Sequence, residues 1–415
     1  MRIAIYTEDL SGLAGIERVV REHLRIFSAH GVECEVFGRA GCAHCVPDKG
    51  EFRRGAVRAF LEAFRPDVCL LHGVSHVGME DDVSVLRALG IPMVAVCHFS
   101  FPSAMLLDGD EGANRVFLHG ARLCDAVATV SAIDAQWWRA AGLRAFHVQN
   151  PFVRPKMNAE RVLGRGNAPR NALWVGRQAQ PKQPSAALAA FAAVTRAVPD
   201  AHLTMVGGTE KGWQSLRREA RALGIERRVT FLPARDDLSD LWAKADFHLL
   251  SSITESFCLV LAEAKAWGKP TVMFEIPFLE LVESGKGLLT APQGDIEGLA
   301  QAMIRLMREP GLCERLGVEA KASLAPFNDE AVWQSWQRVF EALKTGQGGD
   351  EVSPELRTIV TQTMTAWDNF CDRNLWAVRF TREWSLLTHV SWHPIANAIA
   401  WFVRAIRRMK AMLRR

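Results

Sequence analysis

Short apolar runs alternate with longer segments of helical periodicity through the first part of the chain. The runs cover residues 3–6, 34–37, 68–71, 93–97, 126–130 and 146–148. Segments such as 17–27 and 57–64 lie between them and place their apolar residues on one helical face. Because strands that are buried on both faces read as nearly continuous apolar runs, this pattern predicts a parallel sheet covered by helices.

A second series of the same kind follows a polar, basic stretch at 154–170. Its apolar runs cover residues 172–175, 202–206, 229–232, 247–250 and 271–274. We therefore predict an α/β fold with two facing Rossmann-like domains, residues 1–153 and 154–326, and a C-terminal helical extension. Ligands of such sheets bind beyond the carboxyl ends of the strands, so the cleft between the domains is the expected site.

The chain changes character after the second series. Residues 327–345 predict a single helix with Val332, Trp336 and Phe340 on its apolar stripe. The segment 351–415 then carries five tryptophans and has no acidic residue after Glu383. It predicts an aromatic and basic helical tail.

Residues 394–415 of this tail combine an apolar stripe with a basic run. Such a basic amphipathic helix with aromatic anchors is typical of docking on an anionic membrane surface, which is the favoured interpretation. A helical cap packed on the second domain is the structural alternative. A dimer seam is a further alternative, disfavoured because the helix is short and mostly cationic.

Composition excludes some partners and indicates a compartment. With 415 residues, of which 49% are hydrophobic, the chain can bury substantial cores, while a net charge of +4 does not indicate nucleic-acid binding. No apolar run approaches the roughly 18 residues of a membrane span, and no signal peptide precedes the first strand. Nine cysteines without disulfide-like spacing fit a reduced compartment. We expect a cytoplasmic protein, peripheral on the inner face of the membrane.

Candidate metal ligands are weak, and no metal or other cofactor is expected. Cys42 and Cys45 flank His44, but no second ligand pair follows, so an ordinary loop is favoured over a metal or redox site. The acidic pairs at 81–82 and 236–237 are expected in surface loops.

Two carboxylates mark the transition from the strand at 247–250 to the next helix. Glu255 stands at the predicted helix mouth and Glu263 lies eight residues further on, a helical rise of roughly 12 Å. A pair so far apart cannot act on one bond but can hold two ends of an extended ligand. Free backbone N–H groups at the helix start favour an anion between them, as in a nucleotide-sugar. The alternative is a capping Glu255 and a solvated Glu263.

Cationic residues follow the first strand of the second domain. Gly176 allows close backbone approach to a ligand, and Arg177 and Lys182 can neutralise a diphosphate. In the first domain, a glycine-containing loop runs from Ser11 to Arg18, and His98 follows the strand at 93–97. His72 and His76 follow the strand at 68–71, and for these two histidines, as for His98, packing is the more common role of a residue at a strand end.

These motifs together resemble the retaining family 4 glycosyltransferases of GT-B fold, over roughly residues 1–345. The residues that carry the resemblance are Gly15-Ile16-Glu17, His98, Asn150-Pro151, Val175-Gly176-Arg177, Lys182, Glu255 and Glu263. The resemblance implies an N-terminal acceptor domain, a C-terminal nucleotide-sugar donor domain, and a helix at 327–345 that crosses back to the first domain.

The resemblance also implies roles for single residues. Arg177 and Lys182 would hold the donor diphosphate, Glu255 the transferred sugar and Glu263 the ribose. His98 and Gly15 would line the reaction region. The remaining donor-binding positions that we predict are Gly176, Arg235, Ser256, Phe257, Cys258 and Leu259. Arg235 is included because backbone at 232–235 is expected to read the base.

Three departures from the family pattern are visible. Cys258 stands where the family usually has glycine, Gln183 replaces the glycine that commonly follows the lysine, and Pro233-Ala234 occupies the place of a glycine near the base pocket. A side chain at Cys258 is expected to narrow the approach of backbone to phosphate and to tune the donor pocket.

The function expected from these observations is retaining hexosyl transfer from a nucleoside-diphosphate sugar to a glycan or lipid-linked acceptor, in cell-surface polysaccharide or lipopolysaccharide biosynthesis. No carboxylate pair at hydrolase spacing is evident, which disfavours double displacement. The alternatives are a sugar-nucleotide epimerase of similar fold and a non-catalytic glycosyltransferase-like scaffold.

Overall fold

A computed structural model describes residues 1–12, 15–74, 78–101, 113–155, 169–276, 278–348, 351–362 and 364, with the side chains of 113–116 left out. These residues form two parallel sheets, each with helices on both faces. The predicted α/β class and the two Rossmann-like domains are confirmed.

The first sheet has the order β3-β2-β1-β4-β5-β6-β7. Its strands are β1 Arg2–Tyr6, β2 Glu33–Gly38, β3 His44–Cys45, β4 Val68–His72, β5 Met93–Cys97, β6 Ala126–Thr129 and β7 Ala145–His147. Its helices are α1 Gly15–Ala29, α2 Glu51–Phe64, α3 Met79–Ala88, α4 Ala113–Arg122 and α5 Ala132–Ala140. The order reverses between β1 and β4, which places the carboxyl ends of β1, β4 and β5 at the switch point where ligands bind.

The second sheet has the order β10-β9-β8-β11-β12-β13. Its strands are β8 Asn171–Val175, β9 His202–Gly208, β10 Val229–Pro233, β11 Phe247–Leu250, β12 Thr271–Phe274 and β13 Leu288–Ala291. Its helices are α6 Pro184–Ala197, α7 Glu210–Ala222, α8 Ser239–Lys244, α9 Leu259–Ala266, α10 Ile296–Arg308 and α11 Leu312–Ala322. Here the switch point lies between β8 and β11.

The helix α12, Asp329–Thr345, lies against the first domain although it follows the second. Val332, Trp336 and Phe340 share an apolar cluster with Ile5 of β1 and Phe27 of α1. Its amphipathic stripe therefore completes one face of the first sheet, which would otherwise be exposed.

The start of the predicted tail also packs on the first domain. A helix at 354–362 buries Val360 fully in the cluster that holds Phe60 and Leu71. A cap on the second domain is therefore wrong for these residues. Residues 365–415, including the predicted membrane-docking segment 394–415, lie outside the described residues.

The acidic pair at 81–82 is not in a surface loop, as the sequence suggested. Both residues belong to the first turn of α3. Asp82 is fully buried and pairs with Arg53 of α2 at 2.7 Å, and Asp81 pairs with Arg54 at 2.6 Å. These carboxylates join α2 to α3, because a buried charge is tolerated only with a partner.

The segment from Cys42 to Cys45 lies at the edge of the first sheet. His44 and Cys45 form a two-residue edge strand rather than a loop, and both Cys42 and Cys45 are free thiols. Within the described residues, no group of three or more His, Cys, Asp or Glu side chains is placed to hold a metal ion. None of the described helices is long and apolar enough to cross a membrane.

Candidate functional site

Lys182 and Glu255 meet where the strands β8 and β11 end. Lys182 Nζ lies 2.5 Å from Glu255 Oε1, and the Ser252 hydroxyl donates to the same oxygen at 2.7 Å. The Glu255 side chain is 9% exposed and that of Lys182 is 26% exposed. Burial acts to lower the pKa of Lys182, but the adjacent Glu255 carboxylate outweighs it and the pKa is raised. Lys182 therefore stays cationic at this edge of the sheet.

Buried side chains of the second domain hold the backbone of the Lys182 loop in place. The Trp174 indole donates to the Ser251 hydroxyl at 2.9 Å, which in turn donates to the Lys182 carbonyl at 2.8 Å. Ile253 N–H donates to the Pro181 carbonyl at 2.8 Å. The loop that carries Lys182 is thus tied to Ser251 and Ile253, in the segment after β11 that also carries Glu255.

Arg177 lies in the same loop after β8 and is exposed. It has no ion-pair partner among the described residues, and its charge acts to lower the pKa of Lys182. Two cations therefore stand close together at the carboxyl edge of the second sheet, with only one of them neutralised. This is an electropositive position suited to a polyanion.

Glu263 faces the first domain from inside α9. Its side chain is 6% exposed, and Arg18 of α1 reaches it across the domain boundary at 2.6 Å. Burial raises the pKa of Glu263, and the Arg18 guanidinium opposes that rise without cancelling it. The carboxylate is thus held by a residue of the opposite domain.

Arg18 is a site residue that the sequence interpretation did not single out. It lies one helical turn after Gly15 and one turn before Arg21, so the three residues share a face of α1. Arg21 lies 3.8 Å from Asp236 of the second domain and donates to the carbonyls of Leu10 and Gly12. The spacing of Gly15, Arg18 and Arg21 was the signal that could have revealed this basic face.

Ser256 and Gly15 make two further close contacts between the domains. The Ser256 hydroxyl donates to the His98 carbonyl at 2.8 Å, and a Cβ added to Gly15 would lie 3.3 Å from Leu259. Glycine at position 15 therefore permits the close approach of α1 to the start of α9. The Phe257 ring is buried between Phe152 and Phe327, so only its backbone remains for a ligand.

The two glutamates occupy a different geometry from the one expected. α9 begins at Leu259, so Glu255 lies in the preceding loop and the helical-rise estimate of their separation does not apply. The alternative of a solvated Glu263 is wrong, because that side chain is buried. Each carboxylate is instead held by its own cation, Lys182 for Glu255 and Arg18 for Glu263.

The second domain is similar in sequence to a family of known proteins. Residues 169–309 match the family described as Glycosyl transferases group 1. The phosphatidyl-myo-inositol mannosyltransferase of Mycobacterium leprae is 26% identical over 376 residues, which is 83% of this chain and 98% of that protein. An exopolysaccharide phosphotransferase of Streptomyces coelicolor is 31% identical over 165 residues, or 39% of this chain, but the chain spans only 17% of its length.

Solved structures show the same architecture. The Anabaena protein HepE in complex with UDP-glucose superposes with a TM-score of 0.68 at 18% identity, covering 82% of this chain and 100% of that one. The lipopolysaccharide outer core galactosyltransferase WaaB superposes with a TM-score of 0.61 at 18% identity, covering 83% and 100%. The chain therefore has the GT-B fold.

At two of the departures from the glycosyltransferase pattern, the backbone adopts a conformation that favours the glycine of that pattern. Cys258 has φ of +67° and Gln183 has φ of +46°, in the left-handed region that favours glycine. Cys258 immediately precedes α9 and Gln183 precedes α6, so both positions end a loop and begin a helix. Cys258 therefore carries backbone strain, in addition to the narrower approach of backbone to phosphate that the sequence predicts. Burial raises the pKa of its thiol, which keeps it protonated.

Arg235, Gly176 and Asn150 are the other predicted residues that the structure describes. Arg235 is exposed and pairs closely with Asp240, while the strand β10 is irregular between Leu232 and Pro233. Gly176 follows β8 directly, where a Cβ would lie 3.1 Å from the Trp174 ring. Asn150 is buried before Pro151. His76 lies outside the described residues.

We predict that C258G is more stable than C258A. Both variants lose the thiol, but alanine keeps a Cβ at positive φ, so glycine should raise the free energy of unfolding relative to alanine by about 1 kcal/mol. Urea denaturation of both variants measures the difference. As a matched control, A262G inside α9 should lower stability relative to the parent. Equal stability of C258G and C258A would show that position 258 is not strained.

We also predict strong coupling between Arg18 and Glu263. R18M and E263Q each leave the other member of the buried pair without its partner. The losses in free energy of unfolding of the two single variants should therefore add up to more than the loss in the R18M/E263Q double variant. A double-mutant cycle by urea denaturation should give a coupling free energy of about 1–3 kcal/mol. The exposed pair of Arg305 and Glu309, with R305M and E309Q, is the control and should couple by less than about 1 kcal/mol. Additive effects at Arg18 and Glu263 would contradict the contact.

Proposed function

We propose that the chain is a retaining glycosyltransferase that moves a hexosyl group from a nucleoside-diphosphate sugar to a glycan or lipid-linked acceptor. The observation that carries this proposal is the cluster of Arg177, Lys182 and Glu255 at the cleft edge of a group 1 glycosyltransferase domain. Retention, the hexosyl group and the acceptor class go beyond the comparisons and rest on the resemblance stated above.

The electrostatics of the cluster suit a diphosphate leaving group. When the bond between the anomeric carbon and the phosphate oxygen breaks, its electron pair goes to the phosphate and the sugar becomes cation-like. Arg177 and Lys182 supply fixed positive charge to that developing anion, and Glu255 lies beside Lys182 to contact the sugar. In this proposal the residues of the chain provide the counter-charge, and no metal is required.

We propose a same-face reaction because neither Glu255 nor Glu263 is free to act as a nucleophile. Within the described residues at the cleft, both carboxylates are held by cations, so neither is placed as an independent attacking group. We propose that the acceptor oxygen bonds to the anomeric carbon on the face that the phosphate leaves. The acceptor hydroxyl proton passes to the departing phosphate oxygen.

The neighbours guide the choice of substrates to test. HepE was solved with UDP-glucose, WaaB is a lipopolysaccharide galactosyltransferase, and the M. leprae relative bears the name of a phosphatidyl-myo-inositol mannosyltransferase. We therefore propose a membrane-borne glycan or lipid-linked acceptor in cell-surface polysaccharide biosynthesis. UDP-glucose is the first donor to screen, followed by UDP-galactose and GDP-mannose.

We predict that K182M and E255Q lose sugar transfer while keeping the fold. Each removes one charge of the donor cluster, so the transfer rate should fall by about 100-fold or more. Product formation from the nucleotide-sugar identified in the screen measures the loss, with circular dichroism to verify folding. K244M is the matched control, because Lys244 lies on the same domain in an exposed contact with Asp240. Full activity in both K182M and E255Q would overturn the assignment.

The same assay separates the alternative functions. An epimerase would interconvert the donor in the absence of an acceptor, with no transfer product. A non-catalytic scaffold would show no nucleotide-sugar binding by calorimetry. Either result would replace the glycosyltransferase proposal.

The basic tail leads to a separate proposal, that residues 394–415 dock the enzyme on an anionic membrane surface, at the inner face of the membrane. The cations of this segment are Arg404, Arg407, Arg408, Lys410, Arg414 and Arg415. Each basic residue near an anionic surface contributes about 1 kcal/mol, so together they give strong binding that weakens with salt.

We predict that a variant with these six cations changed to glutamine loses at least about tenfold in binding to vesicles that contain phosphatidylglycerol. Co-sedimentation measures the binding, with neutral phosphatidylcholine vesicles as the control. A chain shortened to residues 1–364 keeps the described helix at 354–362 and should behave like the glutamine variant. Unchanged co-sedimentation of both would leave the tail without a membrane role.

A further inference from the structure

Two buried histidines and one half-buried histidine, from separate elements, lie together beside the cleft. His23 comes from α1, His72 ends β4, and His98 follows β5. The ring centres of His72 and His98 are 5.0 Å apart, and those of His23 and His72 are 5.7 Å apart. Trp336 of α12 contacts His23 from the other side. The cluster therefore joins the crossing helix to a residue at the reaction region.

Trp336 fixes the tautomer of His23. The indole Nε1–H can only donate a hydrogen bond, and it lies 3.1 Å from His23 Nε2, so that nitrogen must be the acceptor. Burial lowers the pKa of His23 to about 3, so the ring is neutral and its proton is on Nδ1. His23 Nδ1 is itself buried and has no hydrogen-bond partner in the described part of the chain.

His72 offers the complementary atom. Its Nδ1 lies 2.9 Å from His98 Nε2, and its Nε2 is buried with no partner among the described residues. If Nε2 carried the proton of His72, the two adjacent rings would hold two unpaired buried N–H donors. Such orphaned donors are costly and rare. His23 Nδ1 and His72 Nε2 make no direct hydrogen bond, and both are satisfied when one water accepts from His23 Nδ1–H and donates to His72 Nε2.

The direction of the remaining bond then follows. Because Nε2 of His72 accepts a hydrogen bond, the proton of the neutral His72 ring is on Nδ1. His72 Nδ1–H therefore donates to His98 Nε2. We infer that a series of hydrogen bonds, from Trp336 through His23 and His72, holds His98 as the tautomer protonated on Nδ1. His98 is half-buried at the cleft, so it presents an N–H donor to a bound ligand.

The consequence for the reaction rests on the proposed function. Burial lowers the pKa of His98 to about 4, so the ring is neutral at physiological pH. A neutral His98 whose Nε2 is already bonded can donate from Nδ1 to a sugar or phosphate oxygen but cannot take the proton of an acceptor hydroxyl. His98 is then a ligand for the donor, and His72, His23 and Trp336 are positioning residues.

The test is an NMR measurement of the His98 tautomer, which is independent of catalytic activity. The full chain is labelled with ring-¹⁵N histidine, and long-range ¹H–¹⁵N spectra distinguish protonated from unprotonated ring nitrogens. A spectrum of H98N identifies the His98 signals by difference. We expect a single His98 species with the proton on Nδ1. A proton on Nε2 in the parent protein would overturn the inference without any further variant.

Two pairs of variants test where the tautomer is set. W336F removes the indole donor and should convert the His98 signals to a mixture of tautomers. W333F is its matched control, because Trp333 lies on the same helix and contacts Phe27 and His30. H72N keeps an amide donor for His98 Nε2 and should keep the single tautomer, whereas H72L should lose it. An unchanged His98 spectrum in folded W336F and H72L would overturn the chain of bonds.

Activity provides a second readout if sugar transfer is established. Loss of one ordered hydrogen bond should lower the rate at saturating donor about tenfold in W336F. W333F should remain within about twofold of the parent, a difference below RT in free energy. If the tautomer is as inferred but no transfer occurs in any variant, the proposed function fails and the histidine arrangement stands. If transfer occurs but the parent tautomer is the opposite one, only the histidine inference fails.

Discussion

Burial of the Glu263 carboxylate at the domain boundary is the constraint on which the cleft depends. A charge that is 6% exposed needs a partner, and its partner Arg18 belongs to the other domain. The approach of the two domains is therefore an electrostatic requirement as well as a matter of apolar packing. The close contact of Gly15 with Leu259 and the bond from Ser256 to the His98 carbonyl follow from that approach.

The proposed ligand would enter a site whose charges are already engaged with one another. Lys182 holds Glu255, and Arg18 holds Glu263, while Arg177 is the exposed cation. A diphosphate with hydroxyl-rich groups at both ends could exchange these internal pairs for its own contacts. Because the internal pairs are lost in that exchange, affinity for a nucleotide-sugar would be lower than the number of cations suggests.

The parallel sheets could be predicted because their central strands are continuous apolar runs, and the observed β5, β11 and β12 span the predicted residues. The edge strands β3 and β13 could not, since a short edge strand carries a weak apolar signal. Asp82 could not be predicted as buried, because its partner Arg53 is 29 residues away in sequence. Such pairing depends on tertiary placement of two helices.

The candidate site was predicted unevenly for a similar reason. Lys182 and Glu255 stand at strand ends, where pattern alone places them at one sheet edge. Arg18 was missed because its role depends on the other domain. The strain at Cys258 and Gln183 was also missed, since a residue type does not report its own φ angle. The histidine tautomers depend on which nitrogen faces which neighbour, and that is set only by three-dimensional packing.

The aromatic contact of Phe152, Phe257 and Phe327 has a mechanical consequence. The chain leaves the first domain beside Phe152 and returns to it beside Phe327, and Arg154 bonds the Phe327 carbonyl, so the two covalent connections lie side by side. A relative rotation of the domains must then turn about an axis close to this point. During such a rotation Arg18 and Glu263 would move apart, while Phe257 would stay in place. The phenylalanine cluster would then be the hinge of the motion, and the ion pair would have to break for the domains to open.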